Sequence, residues 1–565
     1  MYSYCHACKK DVLRQLIECD KKWSFADLEA SGDICYLWDD FTVRSEPVSG
    51  KTVLFASRSP QWIQFCSDTF FLDSAHQDQH TSAFHFQYSD SWVRLSNDRE
   101  TGFLPLTSGQ WWYSEELKAS HSRYFDMSFS FFLKEDFHVF SLEKAIHYLM
   151  EHHDTLRLRL LERDGILCQA ISDTGTSIPL SLICMPDLSE IEQEKIIEIA
   201  SYEMHKRINQ FDGPLFHVAC FDFGRQKPRY VLWIISHFIM DAFSIQILQR
   251  DLHLIIEQII QGKEIRLPAR TTSFAQWTRK IEEYLHSPDA EKEFHDYWLT
   301  LPWDQVKPFP SDMPADISLD LRSSHHSYGT EGSTREIIVS LDDNLTRMLL
   351  TQTLDANTTI MHLFLTAMAQ TFKQWIGSPV LYLFVVNHGR QTIFRDIDLT
   401  RTTGYIAQVA YLFLNIDGAS TQEEILQAVR KQVSFTPNQG RTLEWLLRKR
   451  DNSPILELLR NIPWPELNFN FVGKLDQSDS GVLRFQKHIK LMSSDPAALR
   501  NHSLDFMGTI YNNRLFTRWQ YSEAIHQQRT IKNLAENFIG YLQDVILYRQ
   551  SVRYTHVFYP STGLS

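Results

Sequence analysis

The chain has 565 residues, 43% of them hydrophobic and 22% charged, and its formal net charge is −13. Such a length exceeds one compact core and predicts about two to four domains, and the composition is that of a globular protein, not a disordered one. An acidic balance without a basic stripe speaks against nucleic acid as a partner, and no stretch approaches the ~18 uninterrupted apolar residues of a membrane span.

The first residues, MYSYCHACKKDVLRQ, lack the apolar centre of a signal peptide. A cytoplasmic location with reduced thiols is therefore expected. Cys5 and Cys8 form one CxxC, with His6 between them and Cys19 farther on. Zinc needs about four ligands in a tetrahedron, and one CxxC without a second pair does not supply them. No metal is expected.

Three regions follow one another. Residues 1–100 form an N-terminal extension, residues 103–268 a first lobe and residues 272–555 a second. The stretch from Ser74 to His85 reads as a linker, and Gln261 to Thr272 (QGKEIRLPARTT), polar with one Pro, as the connector between the lobes. In the first lobe, Phe125 to Leu133 is strand-like. Ser141 is placed to cap a helix whose apolar positions Leu142, Ala145, Ile146 and Leu149 follow the 3.6-residue period. Thr155 to Leu160 alternates as a strand, with Arg157 and Arg159 outward. Leu215 to Phe223 and Arg229 to Ile235 predict a hairpin turning at Gly224–Pro228. In the second lobe, Ser273 to Tyr284 and Met361 to Trp375 predict helices, Leu381 to Val386, Val409 to Ile416 and Leu467 to Val472 predict strands, and Thr530 to Leu547 a terminal helix. The alternation is that of an α/β protein.

The sharpest chemical signal is YVLWIISHFIMDAFSIQ. A buried strand ends at Ser236-His237, and Asp241 stands where a helix begins, as its N-cap or as a charge partner. An imidazole near its ordinary pKa of about 6.5 can take a proton from an amine or hydroxyl at neutral pH. A lone strand-end His is more often a satisfied core residue, so His237 needs support from elsewhere in the chain. The pair His325-His326 has no Asp behind it, and His152-His153 sits at a helix end. No GxxxxGK[ST], GxGxxG or GxSxG occurs, so ATP, dinucleotide and serine-hydrolase chemistry are not expected.

The support comes as a resemblance. SHFIMDAFS is similar to the HHxxxDG motif of condensation, cyclization and epimerization domains of nonribosomal peptide synthetases. LPLTSGQWWYSEE resembles their opening motif, in its epimerization-type PIQxWF form, and HHDTLRLRL their second. NHGRQTIFRDIDLTRTTGYIAQ resembles the epimerization-type GHGRE…DxSRTVGWFT block, LNFNFVGKLDQ the FNYLGxFD block, and YSEAIHQQRTIKNLAENFIGYL the closing helix. Six partial matches in the family's order are more specific than any one of them.

The resemblance implies a stand-alone protein with two chloramphenicol-acetyltransferase-like lobes in a V around a central tunnel, plus the small N-terminal α/β extension. It implies His237 as the catalytic residue, with Asp241 structural and paired to Arg390 of NHGR. It also implies no cofactor bound by the chain itself, substrates arriving on the phosphopantetheine of acyl or peptidyl carrier proteins. No DSL-like attachment site lies in a suitable helix, so carriers are expected in trans. Ser236 stands in place of the first motif His and Ala242 in place of the Gly. Ser236, Asn387 and His388 are expected as cleft contacts. Epimerization-type sequences carry Glu-Gly before their HGR, where this chain has Val386 and Asn387. Exchange of an α-proton across two faces needs two acid/base groups, so acyl transfer to an amine or alcohol is the favoured expectation. A residual proton-transfer enzyme and a catalytically idle platform that recruits tailoring enzymes are the alternatives. WSFADLEASGDICYLWDDFTV…GKTVLFASRSPQWIQFCSDTFF faintly resembles the start of an adenylate-forming enzyme, without that enzyme's phosphate-binding loop. Residues 1–100 then read as its remnant or as a docking piece.

Overall fold

The computed structural model of the chain describes residues 42–48, 51–57, 102–119 and 125–558, less the stretches 134–138, 164, 173–177, 186–187, 212, 225–226, 314–327, 353–357, 392, 448–456, 459–461, 475–482 and 487–495. Cys5, Cys8, Cys19, the stretch Ser74 to His85 and His325-His326 lie outside the described residues.

In chain order the strands are β1 (Thr42–Val48), β2 (Lys51–Ser57), β3 (Asp126–Leu133), β4 (Leu158–Arg163), β5 (Ile166–Ile171), β6 (Leu180–Cys184), β7 (Phe216–Asp222), β8 (Arg229–Ser236), β9 (Thr334–Ser340), β10 (Val380–Asn387), β11 (Gln408–Asn415), β12 (Leu467–Lys474), β13 (Leu483–Gln486), β14 (Leu504–Tyr511) and β15 (Arg514–Ser522). The helices are α1 (Ser108–Ala119), α2 (Val139–His152), α3 (Glu190–Arg207), α4 (Ala242–Ile260), α5 (Phe274–Leu285), α6 (Pro288–Asp296), α7 (Asp343–Gln352), α8 (Ile360–Ile376), α9 (Gln422–Phe435), α10 (Arg441–Leu447) and α11 (Gln528–Phe558).

Two sheets form two lobes. One runs in the order β1-β2-β6-β7-β8-β3-β13, the other β11-β10-β12-β14-β15-β9, and β4 and β5 make a separate ribbon. Two connections cross the boundaries expected from sequence. The hairpin β1–β2, placed in the extension, adds to the first lobe's sheet through β2 and β6, with Leu54 opposite Cys184. Strand β13, placed in the second lobe, pairs antiparallel with β3, with Leu483 opposite Leu133. Both segments satisfy their backbone groups on an edge that the first lobe would otherwise leave open.

Strand β8 explains how the fold presents its key turn. All eight of its residues are buried, which requires a continuous apolar run instead of an alternating one. Side chains still alternate in direction. Val231, Trp233 and Ile235 enter the core shared with α2, α4 and the second lobe's Leu399, Tyr405 and Ile406. Tyr230, Leu232 and Ile234 enter the core beneath α3. The same parity directs residue 237 toward the lobe junction.

Two local expectations need correction. Helix α2 starts at Val139, so Ser141 lies in its first turn and does not cap it. Ser is tolerated there, and residue type alone does not fix a helix boundary. Leu142, Ala145, Ile146 and Leu149 are all buried, as their spacing predicts. The strand expected from Thr155 begins only at Leu158, after a 3-10 turn over Asp154–Arg157. Arg157 points inward: its Nε donates to the Met150 carbonyl at 2.9 Å and its Nη2 to Asp154 Oδ1 at 2.7 Å. Satisfying that buried guanidinium locally requires the tight turn.

Trp233 is fully buried, stacked 5.3 Å from Phe129 and tilted against Phe216 at 5.6 Å. Trp233→Ala should lower stability by about 3–5 kcal/mol through the cavity it leaves, read as a fall in the urea midpoint followed by near-UV circular dichroism.

Candidate active site

Between the end of β8 and the start of α4 the chain makes one tight turn. The Ile239 N–H donates to the Ser236 carbonyl at 3.2 Å and the Met240 N–H to the His237 carbonyl at 3.4 Å. Asp241 then caps α4, its Oδ1 accepting from the Ser244 N–H at 2.7 Å. The spacing from His237 to Asp241 is thus the length of a turn that joins a buried strand to a capped helix.

The His237 ring lies between two aromatic rings, one from each lobe. Phe125, just before β3, stacks on it at 5.2 Å and 7°. Tyr405, from the second lobe, covers it at 4.3 Å and 37°. Tyr405 is itself held close: a Cβ on Gly109 would meet its ring at 2.8 Å. His237 is half-buried. Its Nδ1 is enclosed without a hydrogen-bond partner, whereas Nε2 is not among the enclosed and unpaired atoms. Burial pushes the imidazole pKa below its ordinary value, and the Asp241 charge opposes this only in part. The ring is therefore neutral at neutral pH and able to accept a proton.

Asp241 and Arg390 form the expected pair, and it is bidentate. Nη1 donates to Oδ2 at 2.9 Å and Nη2 to Oδ1 at 3.0 Å. Oδ2 also accepts from the Ile406 and Ala407 N–H groups at 3.0 and 2.8 Å. Arg390 Nη2 donates further to Ser244 Oγ at 2.7 Å and to the Thr402 carbonyl at 3.1 Å. The turn that carries Arg390 needs Gly389: its φ is +73°, and a Cβ would collide with the Ile406 carbonyl.

Ser236 does not line an open cleft. It is fully buried, its Oγ 3.0 Å from the Tyr113 hydroxyl and accepting from the Phe238 N–H at 3.3 Å. Its position on β8 has the parity of the core beneath α3, which turns it away from His237. Asn387 is half-buried and spends Oδ1 on the Gly389 N–H at 2.9 Å. His388 is exposed, 5.6 Å from the Phe243 ring, and burial of part of its ring and the Arg390 charge hold its pKa down.

Sequence reasoning missed a second junction contact. Asp251 on α4 accepts from Arg401 Nη2 at 2.7 Å on both oxygens and lies 2.9 Å from His153 Nε2. His152, His153 and Asp251 bring ligand atoms within 4.8 Å of one another, but both carboxylate oxygens already serve Arg401. The constellation is an ion-pair junction in place of a metal centre. Phe125, Tyr113 and Tyr405 were also missed. For Tyr405 the available signal was its place, where the epimerization-type block carries Trp.

Ser503, His526 and Asp312 form a triad-like row, with Ser503 Oγ 2.8 Å from His526 Nε2 and His526 Nδ1 3.9 Å from Asp312. Ser503 and His526 are buried, and Asp312 is engaged at the start of α11, accepting from the Gln527 N–H at 2.8 Å. This row holds a helix terminus and offers no nucleophile to a substrate.

A family model described as the condensation domain matches residues 100–552. The chain belongs to the condensation-domain family. A linear gramicidin synthase protein of Brevibacillus parabrevis is 30% identical over 453 residues, which is 79% of this chain and 6% of that protein, so the chain spans only a small part of that synthase's length. The epimerization domain from the third module of tyrocidine synthetase B superposes with a TM-score of 0.68 at 23% identity, covering 80% of this chain and 97% of the other. The X-domain solved in complex with OxyB from teicoplanin biosynthesis gives 0.58 at 15% identity, covering 80% and 96%. These structures share the two-lobed α/β fold. Among the described residues no helix is long and apolar enough to cross a membrane.

The buried Asp241–Arg390 pair gives a direct test. Asp241→Asn or Arg390→Met should each cost about 3–5 kcal/mol by stranding the other charge, and the double variant should recover part of that loss. A double-mutant cycle by urea denaturation measures it.

Proposed function

We propose that the chain is a condensation-type acyltransferase. It joins an acyl or peptidyl group, held as a thioester on a carrier protein, to an amine or alcohol. His237 is the observation that carries the reading: a neutral, half-buried imidazole at the lobe junction, flanked by Phe125 and Tyr405. In the reaction, Nε2 takes the proton from the acceptor nitrogen or oxygen as it attacks the thioester carbonyl. The carbon–sulfur bond then breaks, and the departing pantetheine thiolate recovers that proton from the imidazolium. One acid/base group suffices for the whole cycle. Phe125 and Tyr405 position the ring, and Asp241 and Arg390 hold the turn.

Epimerization receives less support. Where epimerization-type sequences carry their Glu, this chain has Val386, an alkyl side chain with no proton to give. A single imidazole cannot serve both faces of an α-carbon. A platform role is the second reading, supported by a neighbour of the same fold that was solved with a partner enzyme, OxyB.

Acyl-loaded carrier incubated with candidate amines and alcohols separates these by intact mass. Transfer predicts loss of the acyl group with product formation, slowed about 10²–10⁴-fold in His237→Ala. Deuterium entering the α-carbon without acyl loss would instead indicate epimerization. Carrier binding without turnover, unchanged in His237→Ala, would indicate the platform. The pH dependence has a definite sign. Neutral imidazole is the active form and its pKa is lowered. Therefore kcat/KM should stay level as pH falls through about 6.5, the ordinary value for His, and decline only below it.

A further inference from the structure

Five arginines are buried in the described part of the chain: Arg157, Arg229, Arg390, Arg441 and Arg500. Four of them pair with a carboxylate, from Asp154, Asp222, Asp241 and Asp505 respectively. Arg441, 2% exposed, has only carbonyls: Nε donates to Asn438 at 3.0 Å and Nη1 to Gln391 at 3.4 Å. Nothing on the described residues takes up Nη2. Burial pushes the guanidinium pKa down to about 10, so it remains cationic at neutral pH. A buried cation without a counter-charge is costly, and proteins generally avoid it.

The backbone that presents Arg441 is also unusual. Asn438, Gln439 and Gly440 are three consecutive left-handed residues, with φ of 46°, 58° and 82°. Such residues persist where the surroundings over-determine them, and they cluster at functional sites. Here Asn438 Nδ2 donates to Glu293 Oε2 at 2.7 Å, and a Cβ on Gly440 would strike the Tyr411 carbonyl. The turn delivers the guanidinium to the segment that ends β10. Gln391, whose carbonyl it meets, directly follows Arg390. The Arg441 charge also helps hold down the pKa of exposed His388. The side chains of Asn387 and Gln391 are joined by a long 3.4 Å bond that can open.

We propose that Arg441 and the Asn387–Gln391 turn form an oxyanion subsite that takes a carboxylate or phosphate group of the substrate. A planar guanidinium with an unspent Nη2 suits either anion. The proposal rests on the acyl-transfer reading only for which molecule brings the anion, and binding at the subsite does not require His237.

Calorimetric titration of the full chain tests it with two matched pairs: 4′-phosphopantetheine against pantetheine, and succinyl-pantetheine against butyryl-pantetheine. At least one anionic probe should bind tenfold or more tightly than its neutral partner. The pair that discriminates identifies phosphate or carboxylate as the ligand. The preference should vanish in Arg441→Met, survive in part in Arg441→Lys, and persist in His237→Ala. A loss of acyl transfer that leaves the preference intact would therefore count against the transfer reading alone. Equal binding within both pairs, or a preference that survives Arg441→Met, overturns the subsite. Thermal melting of ligand-free protein guards against misfolding. Removal of an uncompensated buried charge should leave Tm unchanged or raised, and a lowered Tm would mark Arg441 as a structural clip and overturn the proposal.

Discussion

One carboxylate organises the junction of the two lobes. Asp241 caps α4 in the first lobe, and in the second it accepts from the Arg390 guanidinium and from the Ile406 and Ala407 N–H groups. Each contact bears on His237. The cap fixes the turn in which His237 sits, and the N–H groups adjoin Tyr405, whose ring covers the imidazole. A bidentate pair in a low-dielectric interior tolerates little displacement, because a stranded charge there is costly. The position of one lobe against the other and the surroundings of the imidazole are therefore set by the same interaction.

Other junction contacts share its helix and its loop. Asp241, Ser244 and Asp251 lie at the head and along one face of α4, at spacings that bring residues to the same side of a helix. Their partners Arg390, Arg401 and Gly404 come from a single stretch of the second lobe. Thr155 and Thr403 add a 2.8 Å bond beside them. The apolar core is continuous through the same place, since Leu399, Tyr405 and Ile406 pack with first-lobe residues. Movement of the lobes at this end would break charged, polar and apolar contacts together. His237 thus belongs to a rigid part of the molecule, as a group that holds reactants in one geometry requires.

The elements legible in the sequence were those whose pattern is local. The all-buried run of β8, the amphipathic faces of α2 and α5, and the Asp241–Arg390 pair could be read because either periodicity or an ordered motif marked them. What stayed hidden depends on distant partners. The four residues of β13 carry no sign that they will pair with β3, hundreds of residues earlier. The 3-10 turn at Asp154 follows from where one arginine finds acceptors, which a strand-like alternation masks. Phe125 looks like any strand residue until the lobes close and its ring lies against His237. Asp251 and Arg401 each resemble solvent-facing charges on their own segments, and only assembly brings them together and buries Asp251.

Ser236 shows how the motif can lose a residue without losing its centre. Alternation along β8 turns residue 236 toward the core beneath α3, while residue 237 turns toward the junction. There Ser236 meets the hydroxyl of Tyr113, whose ring packs in the core shared with α2 and α4, and the Phe238 N–H reaches it from the turn. A change at residue 236 therefore acts on the packing that supports the turn, where another small polar pair can take its place. Position 237 has no such freedom. It combines an enclosed Nδ1 with aromatic flanks from both lobes. The two adjacent residues thus face different constraints, of packing at one and of chemistry at the other. That difference explains why a serine at the first is compatible with an acyl-transfer role for the second.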